Sequence, residues 1–107
     1  MQARLIAYVP EGAAIARIVA PGGRLVIGRG PDCDLHVPHP SISRRHAELV
    51  HTPAGEWRLF DLDSKNGSFV NGARMSQERL AGTAWLRFGD VHCEFALLDA
   101  EAADAQA

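Results

Sequence analysis

Residues 47–51, Ala47-Glu48-Leu49-Val50-His51, and residues 56–62, Glu56-Trp57-Arg58-Leu59-Phe60-Asp61-Leu62, decide the fold. The first run alternates apolar and polar side chains. The second is rich in aromatic and branched residues. Pro53-Ala54-Gly55 between them supplies turn chemistry. Two such runs around a short Pro/Gly turn read as a β-hairpin. Working outward, the same grammar recurs. Arg4–Val9 is a strand ended by Pro10-Glu11-Gly12, and Ala14–Val19 a second, turned by Pro21-Gly22-Gly23. Arg24–Ile27 is a third, stopped at Gly28-Arg29-Gly30-Pro31. Leu35–Val37 is a brief fourth, closed by Pro38 and Pro40. Downstream, Asn66-Gly67 and Asn71-Gly72 flank Ser68-Phe69-Val70. Gly89-Asp90 joins Thr83–Phe88 to Val91–Leu98 as a second hairpin signal. No window holds a helical period. Many short strands at near-regular spacing predict an all-β sandwich or barrel.

The chain has 107 residues, room for one domain. Apolar residues make up 47% and charged residues 22%, with a formal net charge of −2. That is too apolar for a disordered chain. It lacks the basic excess of a nucleic-acid binder. No apolar run is long enough to span a bilayer, so no membrane insertion is expected. The stretch Leu5–Val9 is broken too early for a secretory signal. Two isolated cysteines, Cys33 and Cys93, suggest a reducing compartment, and cytoplasm is the expected address. Residues 1–98 form the expected domain. Residues 99–107, Ala-rich and acidic, read as a tail or linker to further parts of a longer chain. Trp57 and Trp85 are core candidates, and Cys33 falls in a turn where exposure is open.

Three loop clusters are polar where a sandwich needs only turns. They are Gly28-Arg29, then Ser41-Ile42-Ser43-Arg44-Arg45-His46, then Asp63-Ser64-Lys65-Asn66-Gly67-Ser68 with Asn71-Gly72 just beyond. Taken singly, each residue is ordinary: an exposed arginine or a turn dipeptide. As an ordered set on sandwich loops, they form a candidate site.

Gly28-Arg29, Ser43-x-x-His46, Asn66-Gly67 and Asn71-Gly72, in this order and spacing, resemble the forkhead-associated (FHA) domain. The similarity runs from about Arg24 to Asn71, and Gly89-Asp90 falls where the family has its last hairpin. The resemblance implies a sandwich of about eleven strands with the ligand site on loops at one end. It implies phosphothreonine-dependent binding of a partner protein or peptide, downstream of a serine/threonine protein kinase. It assigns phosphate contacts to Arg29, Ser43 and Arg44, and a hydrogen bond to the peptide backbone to Asn66. Lys65 stands where many relatives carry a small hydroxyl residue of the pocket, and Ser68 where threonine is more usual. Gly28, His46, Gly67 and Asn71 would support the loops.

The chemistry agrees with that assignment. Phosphothreonine brings about −1.5 to −2 charges and three strong acceptor oxygens. A reader needs fixed cations and short donors converging on one point. Arg29, Arg44, Lys65 and the Ser43 hydroxyl are groups of those types. Other functions fit less well. Ser43, His46 and Asp61 or Asp63 are the residue types of a hydrolase triad, but no Gly-x-Ser-x-Gly elbow surrounds Ser43, so no enzyme is expected. His36, His39 and His51 lack zinc-ligand spacing, and no metal or cofactor is expected. The alternative is an FHA-like scaffold of a secretion or membrane complex that ignores phosphate. Such relatives usually lose the arginine and serine, which this chain keeps.

Overall fold

A computed structural model describes residues 1–98; the expected tail, 99–107, lies outside them. The described residues form eleven strands: β1 Gln2–Tyr8, β2 Ala14–Val19, β3 Arg24–Gly28, β4 Leu35–His36, β5 Ala47–His51, β6 Trp57–Asp61, β7 Ser68–Val70, β8 Ala73–Met75, β9 Gln77–Leu80, β10 Ala84–Phe88 and β11 Val91–Leu98. One sheet has the order β2-β1-β11-β10-β7-β8, and the other β4-β3-β5-β6-β9. Among the described residues no helix is long and apolar enough to cross a membrane.

The alternation that predicts the strands also fills the core. In β10, Ala84, Leu86 and Phe88 point inward; in β11, Val91, Cys93 and Phe95 do. From the other sheet, Leu25, Ile27, Leu49, Trp57 and Leu59 meet them. Trp57 lies edge-on to Phe95 across the interior, with ring centroids 6.4 Å apart. The hairpin first read from the sequence is present, with Ala47 opposite Asp61 and His51 opposite Trp57.

One expectation is corrected and one open reading is decided. Trp85 is not in the core: the period of two that buries Leu86 turns Trp85 outward, where it is 52% exposed beside Tyr8. Cys33 is buried, and its Sγ donates to the Arg44 carbonyl at 3.1 Å. Burial pushes its thiol pKa up, and pushes that of Cys93 up to about 12, so both are poor nucleophiles. The short strands β8 and β9 carry no sequence signal, because nearly all their side chains are exposed and do not alternate.

The topology fixes where loops gather. β1 and β11 run antiparallel in full register, from Gln2 opposite Leu98 to Tyr8 opposite His92. β11 leaves the Gly89-Asp90 turn at one end of the sandwich and reaches Leu98 at the other. Eight strand residues span about 25 Å at ~3.3 Å each. The Gly89-Asp90 turn packs on the loop after β4, so Gln2 and Leu98 lie at the end remote from the polar loops.

Candidate functional site

Three connections meet at the Gly89 end of the sandwich: residues 29–34 after β3, residues 37–46 after β4, and residues 62–67 after β6. The first is unusually tight. β3 and β4 are parallel, with Ile27 beside Leu35, yet only six residues join them. Parallel neighbours normally need a dozen or more. The Cys33 N–H closes a turn onto the Gly30 carbonyl, and the Val37 N–H bonds the Gly28 carbonyl, so the chain doubles back at once.

Backbone bonds stitch this loop to the next. The Arg29 N–H donates to the Ser43 carbonyl and the Gly30 N–H to the Arg44 carbonyl, both at 3.0 Å. Gly28 is the residue that permits this approach. A Cβ there would lie 2.2 Å from the Arg44 oxygen and 2.7 Å from Cys33 Sγ. Gly28→Ala is therefore expected to cost about 1–3 kcal/mol through forced backbone movement. Thermal denaturation measures it; an unchanged midpoint would mean the loops do not need the contact.

His46 binds the second loop to the third. It is fully buried, with its ring edge against Phe88. The Ser43 N–H donates to Nδ1 at 3.0 Å, so the ring proton sits on Nε2, which donates to the Gly67 carbonyl at 2.8 Å. Burial holds the His46 pKa below its usual value, against the opposing pull of the Gly67 carbonyl and Asp61. The neutral ring fits both bonds; a second proton on Nδ1 would face the Ser43 N–H.

The third loop has its own frame, which residue-by-residue reading of the sequence missed. The Asp61 carboxylate accepts from the Ser64 N–H, the Ser64 hydroxyl and the Ser68 hydroxyl. The Ser64 hydroxyl accepts from the Gly67 N–H at 3.0 Å. Burial alone would raise the Asp61 pKa, but the bonds from Ser64 and Ser68 outweigh it and hold it low. The signal was present as Asp-x-x-Ser, the side-chain-to-backbone bonding spacing of a turn. Gly67 sits at φ +88, as the Asn-Gly pair predicts. Asn71, at φ 48, accepts from the Trp85 N–H through Oδ1 and returns its own N–H to the Trp85 carbonyl. It braces β7 against β10 and stands apart from the cleft.

The stitched loops enclose a cleft of about 300 Å³ whose walls are Arg29, Ser43, Arg44, Lys65 and Asn66. All five candidate site residues are brought together there. Pro40, Ser41 and Ile42 complete the lining, and no Asp or Glu belongs to it. Three of these polar groups are held from behind. Arg29 Nε donates to the Ile42 carbonyl at 3.0 Å, which anchors the guanidinium and leaves its two terminal nitrogens for the cleft. The Lys65 N–H donates to Ser43 Oγ at 3.0 Å, so the hydroxyl keeps its own proton for an acceptor. Asn66 Nδ2 donates to the Ser41 carbonyl at 2.8 Å, leaving its side-chain carbonyl open. Ser43, His46 and Asp61 do not form a hydrolase triad: His46 faces the Ser43 backbone N–H, and Asp61 is bound to serines. Among the described residues no group of three or more His, Cys, Asp or Glu is arranged to hold a metal ion.

The FHA domain family model matches residues 25–91, well over half of the chain. The chain belongs to the FHA family. This FHA domain is 41% identical over 76 residues to an ABC transporter ATP-binding/permease protein of Mycobacterium tuberculosis. That match covers 71% of the chain and 9% of the transporter. It is 34% identical over 68 residues to the glycogen accumulation regulator GarA of Mycolicibacterium smegmatis, covering 64% of the chain and 42% of GarA. The chain thus spans well under two thirds of these relatives. Among solved structures, one from a study of phosphothreonine-dependent FHA domain interactions superposes with a TM-score of 0.80. It is 27% identical, and the match covers 92% of this chain and 99% of that one. The FhaA FHA domain, complexed with the intracellular domain of another protein, gives a TM-score of 0.72 at 29% identity, over 87% of this chain and 98% of that one.

Proposed function

We propose that this FHA domain is a non-catalytic module that binds a phosphothreonine-bearing segment of a partner protein in the Arg29–Ser43–Lys65 cleft. The observation that carries the reading is the charge of that cleft: three cations and one free hydroxyl converge on about 300 Å³ with no carboxylate in the lining. Arg29 offers its terminal N–H groups to the phosphate as a fork. Ser43 donates its hydroxyl, Arg44 adds a second guanidinium, and Lys65 adds an ammonium. Asn66 holds the peptide backbone extended. Gly28, His46, Gly67 and Asn71 maintain the loops. The phosphothreonine dependence in the study that yielded one structural neighbour supports the assignment of ligand.

The phosphate would be installed by a serine/threonine protein kinase. The bearer is a partner protein or another part of a longer chain to which this domain belongs. Gln2 and Leu98 emerge opposite the cleft, an arrangement that leaves the cleft open when either end is joined to more protein.

An oriented phosphothreonine peptide pool, captured on the immobilised domain, tests the proposal. Phosphorylated peptides should be retained and their unmodified threonine counterparts lost. Retention should weaken as the pH falls below ~6, where phosphate loses its second charge, and as salt screens the cations. Equal retention of both pools would replace this reading with that of a phosphate-independent scaffold.

A further inference from the structure

Among the described residues each sheet ends in strands with one open flank: β2 and β8 in the first, β4 and β9 in the second. An open flank carries unpaired N–H and C=O groups and invites another strand, so proteins blunt it with brevity, charge or proline. Three of these four flanks are blunted. β4 has two residues, with Pro38 just beyond it. β8 has three and carries the exposed Arg74. β9 presents Glu78 and Arg79. β2 is different. Its six residues, Ala14–Val19, are all apolar except Arg17, and they pair with β1 without a bulge, from Val19 opposite Ala3 to Ala14 opposite Tyr8. The single charge is turned toward the other sheet, where Arg17 Nε donates to the Asp34 carbonyl at 3.2 Å. Its Nη1 donates to the Ala16 carbonyl at 2.8 Å, which keeps a second lone pair for another donor.

We propose that β2 pairs with β2 of a second copy of this chain, antiparallel across a two-fold axis at Ala16. The product is one continuous sheet of twelve strands, six from each copy. The side chains select this occupant and this register. With the axis at Ala16, Ile18 of one copy lies opposite Ala14 of the other, large against small, and Arg17 lies opposite Ile15. With the axis moved to Arg17, two guanidinium groups would stand directly opposite, which is unfavourable. The outer row of β2 is Ala14, Ala16 and Ile18, all exposed, Ile18 by 58%. It holds no charge. On β1 its neighbours are Tyr8, Ile6 and Arg4, the last of them paired with Glu94. A neutral row of small and branched side chains fits a strand of the same kind, and the chain's own β2 is one. Pairing covers Ile18 and satisfies the open backbone groups of both copies. The axis stands perpendicular to the sheet, so the Gly89 ends of the two copies point in opposite directions. On the phosphothreonine reading, such a pair bridges two phosphorylated chains; the pairing itself does not depend on that reading.

Sedimentation of the whole 107-residue chain over a concentration series tests the proposal. A reversible monomer–dimer equilibrium is expected. Ala16→Lys, at an exposed position, sets like charges opposite one another at the axis and should weaken association about five-fold or more. Ala16→Glu should do the same. An equimolar mixture of the two sets Lys against Glu and should restore association, which neither a misfolded variant nor a different interface would do. Thermal melting of each variant checks the fold. A chain that stays monomeric into the millimolar range would overturn the proposal and leave β2 to a strand from a different protein. A dimer that Ala16→Lys leaves intact, or a mixture that fails to associate, would overturn it as well.

Discussion

Replacing Arg29 by alanine is expected to reduce phosphothreonine-peptide affinity at least a hundredfold while leaving the domain folded. The guanidinium is fixed by one bond, Nε to the Ile42 carbonyl, and its terminal nitrogens face the cleft. A charge-assisted, two-pronged contact to phosphate is worth about 1.5–3 kcal/mol for each strong hydrogen bond. Two such bonds exceed the ~2.7 kcal/mol that a hundredfold loss requires. The cost to the fold is smaller. The side chain is exposed, and losing one bond to the Ile42 carbonyl costs about 1 kcal/mol. Calorimetric titration and thermal melting of the same variant separate the two effects. Retained affinity would show that Arg29 is not the phosphate anchor.

Replacing His46 has the reverse profile: the fold suffers first. Alanine there removes a fully buried ring against Phe88. It also strands the Ser43 N–H and the Gly67 carbonyl, which lie on two different loops. Each stranded buried group costs about 1–3 kcal/mol, and the cavity adds to that. A loss of about 3–5 kcal/mol is a large fraction of a small domain's stability. It corresponds to a fall of roughly 15–30 °C in melting temperature. His46→Phe fills the cavity with a somewhat larger ring that makes neither bond, and should recover at most the cavity part.

The same residue gives the domain an acid sensitivity with a defined sign. Burial lowers the His46 pKa, so the unfolded chain binds that proton more readily than the folded one. The stabilisation is complete above the unfolded value of about 6.5 and is lost as pH falls through it toward the folded pKa. Asp61, also lowered, adds a second loss in the same direction at more acid pH. Denaturant midpoints between pH 7.5 and 5 should decline in the wild type. The decline should flatten in His46→Phe over the upper part of that range.

The sequence was legible wherever a side chain had to satisfy two conditions at once. Strands β5 and β6 were readable because their inward residues are apolar and the turn between them needs special backbone. Strands β8 and β9 were not, because edge strands with exposed side chains owe their form to the ladder, not to their own pattern. Trp85 shows the opposite error: a large apolar side chain suggested burial, but the phase of β10, set by Leu86 and Phe88, overrides residue type. The candidate site residues were found because their spacing resembles a family. What spacing did not reveal is the support behind them. The Lys65 N–H on Ser43 Oγ and the Arg29 Nε on the Ile42 carbonyl join loops far apart in sequence, and only the folded chain brings them together. The Asp61–Ser64–Ser68 frame is local enough to have been read, and was overlooked because none of its members reaches the cleft.

In the proposed function, one cleft, built from three stitched loops, reads the phosphate on threonine. An amide-resolved NMR titration of the ¹⁵N-labelled domain tests it most directly. The probe is a phosphothreonine peptide from the retained pool, run beside its unphosphorylated twin. Saturable shifts are expected in the amides of Arg29, Ser43, Arg44, Lys65 and Asn66. The sheet face carrying Tyr8 and Trp85 should stay still, and the unmodified peptide should cause no shifts. Shifts centred on Tyr8 and Trp85, or equal shifts with both peptides, would contradict it.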